Sequence, residues 1–318
     1  MQATTLRNRL KAWWEGYDGQ EYDAWLAMRN GNRPAKTKGK AETGRGSLRK
    51  AGLRREAAWK PERIDIANLV WGEGYCGPGG PQHVIDLVKL LGLTPEMSVL
   101  IIGGGLGGPA RVLAKQFGCY VDSVEQSKEL VAAGSEMSHV AGLAKKAAID
   151  HYDFGRCAPF KRKYDAAIST EAMFCVENKP GVLRAVQQSL KPCKLVVLTD
   201  YVLDDDVDLA DPDIQDWMDN EPTEIFPIRN EEMATLIEQA QFNLRVKEDL
   251  TEAQRAMVAK CWAGAGEMAQ QFLDRGEQSR PLVDTLLREA TLWSRRSSLL
   301  AKQKVRVVRY LAERTWFD

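Results

Sequence analysis

A run of small residues, Gly103-Gly104-Gly105-Leu106-Gly107-Gly108, and a carboxylate 22 positions after its first glycine, Glu125, have the types and spacing that point most directly to chemistry. Glycine takes positive φ without a Cβ penalty and lets a ligand lie against bare backbone. Free N–H groups at the start of the helix that follows, Pro109 to Phe117, would face whatever binds there. An acid in the position of Glu125, with Gln126 beside it, can accept both hydroxyls of a ribose. Farther along, Asp153-Phe154 joins an acceptor to an aromatic ring, which suits the amine and the face of an adenine. Upstream, Trp71-Gly72-Glu73-Gly74-Tyr75-Cys76-Gly77-Pro78-Gly79-Gly80 reads as a glycine-rich lid. In it Tyr75 packs over the ligand, and Gly79 and Gly80 permit close approach. The run also satisfies GxGxxG (Gly103, Gly105, Gly108), so a dinucleotide-dependent oxidoreductase stands as a rival reading.

These residues need a frame, and the surrounding text supplies one. SVLIIG, CYVDSVE, YDAAIST and KLVVLTDYV are short β-rich runs, and PARVLAKQFG and PGVLRAVQQSLK between them have helical patterning. Strands alternating with helices imply right-handed βαβ units and a parallel sheet. FNLRVKEDL and KVRVVRYLAE follow as candidates for a last, antiparallel pair, which makes seven strands in all. The fold class is therefore α/β, a mostly parallel seven-stranded sheet flanked by helices. Composition divides the chain into residues 1–58, a helical segment and a basic arm; 59–204, the ligand-binding core; and 205–318, a helical cap with the last two strands. Within that cap TEAQRAMVAKCWAGAGEMAQQFLDRG reads as one helical stretch. Trp262, Met268, Phe272, Leu282 and Trp293 would cover the substrate pocket or form a homodimer interface.

The remaining composition excludes more than it suggests. Six scattered cysteines form no CxxC pair and read as reduced thiols; with only three histidines and no HxxxH, no metal site is expected. No stretch is apolar enough to span a membrane, and the N-terminus lacks the pattern of a secretory signal, so a cytoplasmic location is expected. Lys plus Arg and Asp plus Glu are both 44, yet the charge is unevenly placed. Arg33 to Lys60 carries ten Lys/Arg against Glu42 and Glu56, whereas Asp204 to Glu224 is acidic without one Lys or Arg. The arm has three readings: a solvated linker, a peripheral contact with an anionic membrane face, or a partner for the acidic stretch. It has no interleaved aromatics, so no specific nucleic acid is expected.

With these motifs in place, Val99 to Gly108 resembles motif I of the Rossmann-like S-adenosylmethionine methyltransferases. Glu125 is similar to their ribose acid, Asp153-Phe154 to their adenine contact, and Ser189-Leu190-Lys191-Pro192 to their LKPGG turn. The lid resembles the FG-x-x-[FY]-x-S-x-GG segment of the phosphoethanolamine N-methyltransferases, and Thr199-Asp200-Tyr201 matches their fifth strand. The resemblance implies S-adenosylmethionine as cofactor and a small-molecule or lipid-like acceptor. It makes Glu171 the carboxylate that contacts acceptor and cofactor. His83 at the start of the helix after the lid and Tyr201 at the end of the fifth strand are further candidates on the substrate side.

Three departures go with it. Motif I has Ile101 where the family carries an acid. The turn after Pro192 is Cys193-Lys194 rather than Gly-Gly, so other backbone geometry is expected there. The tyrosine and histidine that pair in the phosphoethanolamine enzymes correspond to Trp59 and Cys175, which leaves no dyad. Two alternatives to turnover on a small acceptor stay open: a cofactor-binding regulatory protein, and an RNA methyltransferase guided by the basic arm.

Overall fold

The structure, a computed structural model, describes residues 58–316; the N-terminal helical segment and nearly all of the basic arm lie outside them. The elements in chain order are α1 (Pro61–Trp71), α2 (Gly80–Val88), β1 (Ser98–Ile102), α3 (Gly108–Phe117), β2 (Tyr120–Glu125), α4 (Lys128–Val140), β3 (Ala147–His151), β4 (Tyr164–Thr170), α5 (Lys179–Ser189), β5 (Leu190–Leu203), α6 (Pro212–Asn220), α7 (Asn230–Gln239), β6 (Phe242–Asp249), α8 (Thr251–Trp262), α9 (Ala265–Asp274), α10 (Arg280–Ala301) and β7 (Val305–Arg314). The seven strands form one sheet in the order β3-β2-β1-β4-β5-β7-β6, with β7 antiparallel to both neighbours. This is the Rossmann-like architecture that the strand and helix text implies.

The order dictates where a ligand can sit. From β1 the chain winds outward to β2 and β3, then crosses back to place β4 on the other side of β1. Loops leaving β1 and β4 therefore diverge, and a crevice opens at the carboxyl ends of those two strands. The apolar run in β1 follows from burial on both faces of a parallel sheet. Alternate side chains separate, Val99 and Ile101 to one core and Leu100 and Ile102 to the other. Each such side chain contributes about 1.5–3 kcal/mol on burial.

The cap helices α8 and α10 are fastened to α1 by tryptophans. Trp71 at the end of α1 lies between Trp293 of α10 (centroids 4.4 Å apart) and Trp262 of α8 (5.9 Å, near-perpendicular). The stretch from Thr251 to Asp274 is two helices rather than one, because the chain breaks between Trp262 and Ala265. Cys193 does not avoid the geometry that glycine normally takes: it sits at φ +58 inside β5, a left-handed backbone that costs a non-glycine residue about 1–2 kcal/mol. The acidic stretch is already partnered by the chain's own C-terminal elements. Asp204 pairs with Arg306, Asp211 with Lys304, Asp213 with Lys302, Asp216 with Arg295 and Glu221 with Arg296.

Candidate active site

At the end of β1 the backbone turns through Gly103 (φ +75) and Gly105 (φ +53) under the tip of β2. A Cβ on Gly104 would lie 2.6 Å from the Cβ of Ser123, so only glycine lets the turn press this closely on the neighbouring strand. Glu125 ends β2 and folds back over the turn. Its Oε2 accepts the Gly105 N–H at 2.9 Å, and its Oε1 accepts the Ser127 N–H at 2.9 Å. Ser127 in turn caps α4 through the Leu130 N–H. Burial nevertheless pushes the Glu125 carboxyl above the usual range. The carboxylate has two further acceptor positions, and it lines the cavity.

That cavity, about 530 Å³, is lined both by the glycine turn after β1 and by the residues that follow β4. Its size is ordinary for a cofactor plus a small partner. Glu171 follows β4 at φ +46, held by its N–H on the Thr199 carbonyl (2.7 Å) and by the Thr199 hydroxyl on Oε1 (3.2 Å). Burial pushes this carboxyl up to about 7. A non-glycine residue held in left-handed backbone at a cavity wall is strain of the kind that functional sites retain. Opposite, the Arg296 guanidinium is gripped by Glu221 through bonds of 2.7 and 2.8 Å. It lies against the rings of Phe174, Tyr201 and Trp293.

The methyltransferase domain family matches residues 80–246, more than half of the sequence. The chain belongs to this family. Phosphoethanolamine N-methyltransferase 3 of Arabidopsis thaliana is 28% identical over 132 residues, which cover 42% of this chain and 26% of that protein. Sterol 24-C-methyltransferase of Yarrowia lipolytica is 27% identical over 135 residues, 42% of this chain and 35% of that one. The chain thus matches only about a quarter to a third of these relatives' length. A Haemonchus contortus phosphoethanolamine N-methyltransferase 2, solved with phosphomonomethylethanolamine and S-adenosylhomocysteine, superposes with a TM-score of 0.72 at 18% identity. The superposition covers 84% of this chain and 60% of that one, which establishes the shared fold.

S-adenosylmethionine is the cofactor of this methyltransferase domain, and the donor set fits it better than a dinucleotide. Of the N–H groups expected to be free at the helix start, that of Gly108 is taken by the lid, and those of the turn before it are largely paired. Gly103 and Gly104 donate to the Val124 carbonyl (2.9 and 3.0 Å), Gly107 to Gly104 (2.9 Å) and Gly108 to Gly74 of the lid (2.9 Å). A pyrophosphate depends on such donors at a helix start; a nucleoside gripped by its sugar does not. Gly107 and Gly108 are accordingly not on the cavity wall. A Cβ on Gly108 would meet the Gly74 oxygen at 2.5 Å, so that glycine serves lid packing rather than ligand contact.

Two other expected contacts are also corrected. Asp153 stays off the cavity wall, where its Oδ1 accepts the Gly155 N–H and its Oδ2 pairs with Arg156. Gly79 lies under the His83 ring, where a Cβ would come within 2.6 Å. Gly80, Gly103, Gly104, Gly105, Gln126, Phe154 and Tyr75 do line the cavity. The buried Tyr75 hydroxyl has no partner, and burial pushes it up to about 12.

On the acceptor side the structure brings Glu171, His83 and Tyr201 to one cavity. His83 is shifted below its ordinary range, chiefly by burial. The Tyr201 hydroxyl accepts from Gln254 Nε2 at 3.1 Å, and burial raises its pKa. Trp59 and Cys175 also reach the wall. Trp59 lies under the Arg63 guanidinium (4.1 Å), and Cys175 is pushed up to about 12, so the thiol keeps its proton. Sequence reasoning missed Arg63, Glu221 and Arg296. The one available signal was the basic Arg295-Arg296 pair in a helix facing a run of carboxylates.

Proposed function

We propose that this chain transfers a methyl group from S-adenosylmethionine to a small-molecule or lipid-like acceptor in the chamber beside Glu171. The observation that carries the reading is that one cavity is lined both by the Glu125 grip and by Glu171. Bound there, S-adenosylmethionine supplies an electrophilic methyl on a sulfonium. The residues of the chain have three tasks. Glu125 holds the sugar and Phe154 offers its ring to the adenine. The lid around Tyr75 excludes water, since in-line displacement gains from alignment and a dry site. Glu171, steadied by Thr199, either receives the proton of an acceptor amine or stabilises positive charge left on an acceptor carbon. The names of the relatives, one acting on phosphoethanolamine and one on sterol carbon 24, support the two halves of that alternative.

The test is formation of S-adenosylhomocysteine by the purified chain with polar and lipid extracts as acceptor pools, followed by mass spectrometry for a product heavier by one methyl. Product is expected with wild type and none with Glu125→Ala. Tight S-adenosylmethionine binding without product from either pool would move the assignment to a cofactor-binding protein without turnover.

A further inference from the structure

The acceptor chamber contains cations, but they are already committed. Arg296 makes its two bonds to Glu221, which is 1% exposed and whose Oε1 also accepts the indole N–H of Trp217 at 2.6 Å. Arg63, the other arginine on this wall, pairs with Glu289 at 2.7 Å and donates to the Ala58 carbonyl. Lys179, behind the wall, gives its ammonium to the carbonyls of Val176 and Phe226. Glu171, by contrast, faces the chamber with the Thr199 hydroxyl as its side-chain partner.

A phosphate or carboxylate brought into such a chamber loses its water, and among the described residues it meets guanidinium groups whose charge is balanced, together with an acid. An anion buried beside cations whose charge is already neutralised gains little to offset its lost hydration. Resting on the methyltransferase reading above, we propose that Glu221 determines acceptor class. By holding Arg296 it closes the chamber to phosphate- and carboxylate-bearing molecules and leaves it to acceptors that are uncharged or carry a cationic nitrogen. The chain then parts from the phosphoethanolamine enzymes it resembles in acceptor chemistry, while keeping their fold. The bidentate geometry matters here: the Nε/Nη2 edge of the Arg296 fork, one of the two that could clamp a phosphate, is spent on Glu221, and the charges of the pair cancel.

The experiment is calorimetry on the full chain loaded with S-adenosylhomocysteine and titrated with phosphoethanolamine, ethanolamine and inorganic phosphate. Wild type is expected to give no saturable binding with phosphoethanolamine or phosphate. Glu221→Gln keeps an oxygen for Trp217 and removes the charge that neutralises Arg296. It is expected to bind phosphoethanolamine at least about tenfold more tightly than wild type, a gain worth about 1.4 kcal/mol. Adding Arg296→Gln is expected to abolish that gain. Saturable phosphoethanolamine binding to wild type, competed by phosphate, overturns the inference, as does a gain in Glu221→Gln that survives Arg296→Gln. Should the variants fail to bind S-adenosylhomocysteine, the wild-type titration alone decides. A wild type that binds no S-adenosylhomocysteine refutes the cofactor site itself, and the inference falls with it.

Discussion

Replacing Glu125 with alanine removes the sugar contact together with the acceptors of the Gly105 and Ser127 N–H groups. In the folded chain each carboxylate oxygen already has one backbone partner, Gly105 N–H and Ser127 N–H, both at 2.9 Å. A carboxylate accommodates about four hydrogen bonds, so two positions remain for the two ribose hydroxyls. Hydrogen bonds to a charged group contribute about 1.5–3 kcal/mol each, so losing two costs about 3–6 kcal/mol. At about 1.4 kcal/mol per decade, this weakens S-adenosylhomocysteine binding about a hundredfold to ten-thousandfold. Glu125→Gln keeps one acceptor oxygen, and its loss should be about ten- to a hundredfold.

The pH dependence has a definite sign. Burial holds the free carboxyl above its ordinary value, whereas hydroxyl donors favour the ionised form. Where the free carboxyl still holds its proton, binding therefore releases it, and affinity falls as the pH drops through the raised value of the free protein. Glu125→Gln has no such group and should lose this dependence. Calorimetry in two buffers of different ionisation heat reads affinity and proton release together. An alanine variant that binds within about threefold of wild type, a difference of under 1 kcal/mol, would refute the sugar grip and with it the placement of the cofactor.

Two further outcomes follow from backbone and burial. Glu171 is held up to about 7 from 4.5, chiefly by desolvation. The folded chain thus keeps a proton that the unfolded chain has released, and the stability this gives, complete below pH 4.5, is lost as the pH rises to about 7. Urea unfolding across that window should show a shallower slope in Glu171→Gln, and an unchanged slope would mean the proton resides elsewhere. Cys193→Gly should relieve the φ +58 backbone in β5. After the extra flexibility of glycine in the unfolded chain is offset, a net gain of about 0.5–1 kcal/mol is expected. A lower urea midpoint in this variant would contradict the strain argument.

The sequence by itself determined the strands, the glycine turn and the acid that answers it. Val99 to Ile102 form an unbroken apolar run because a parallel strand is covered on both faces, and Glu125 stands where the next strand must end. These are features of a few consecutive residues, and their periodicity is legible wherever they fold. The same reading could not separate glycines that face a ligand from those that face the lid. Gly105 and Gly108 look alike in the run, and only the approach of Gly74 tells them apart. Nor could it see that Asp153 would close its own turn.

The acceptor wall was decided by tertiary structure alone. Trp59 and Arg63, Glu171, Glu221 and Arg296 are joined across more than two hundred positions, and no local pattern in any of them names the others. Their meeting follows from the sheet order, which opens a crevice between β1 and β4, and from the tryptophans that dock the cap. The charge of the chamber is a property of that assembly: Arg296 is a binding cation or a spent one according to whether Glu221 reaches it, and burial, which only the fold supplies, makes the difference count.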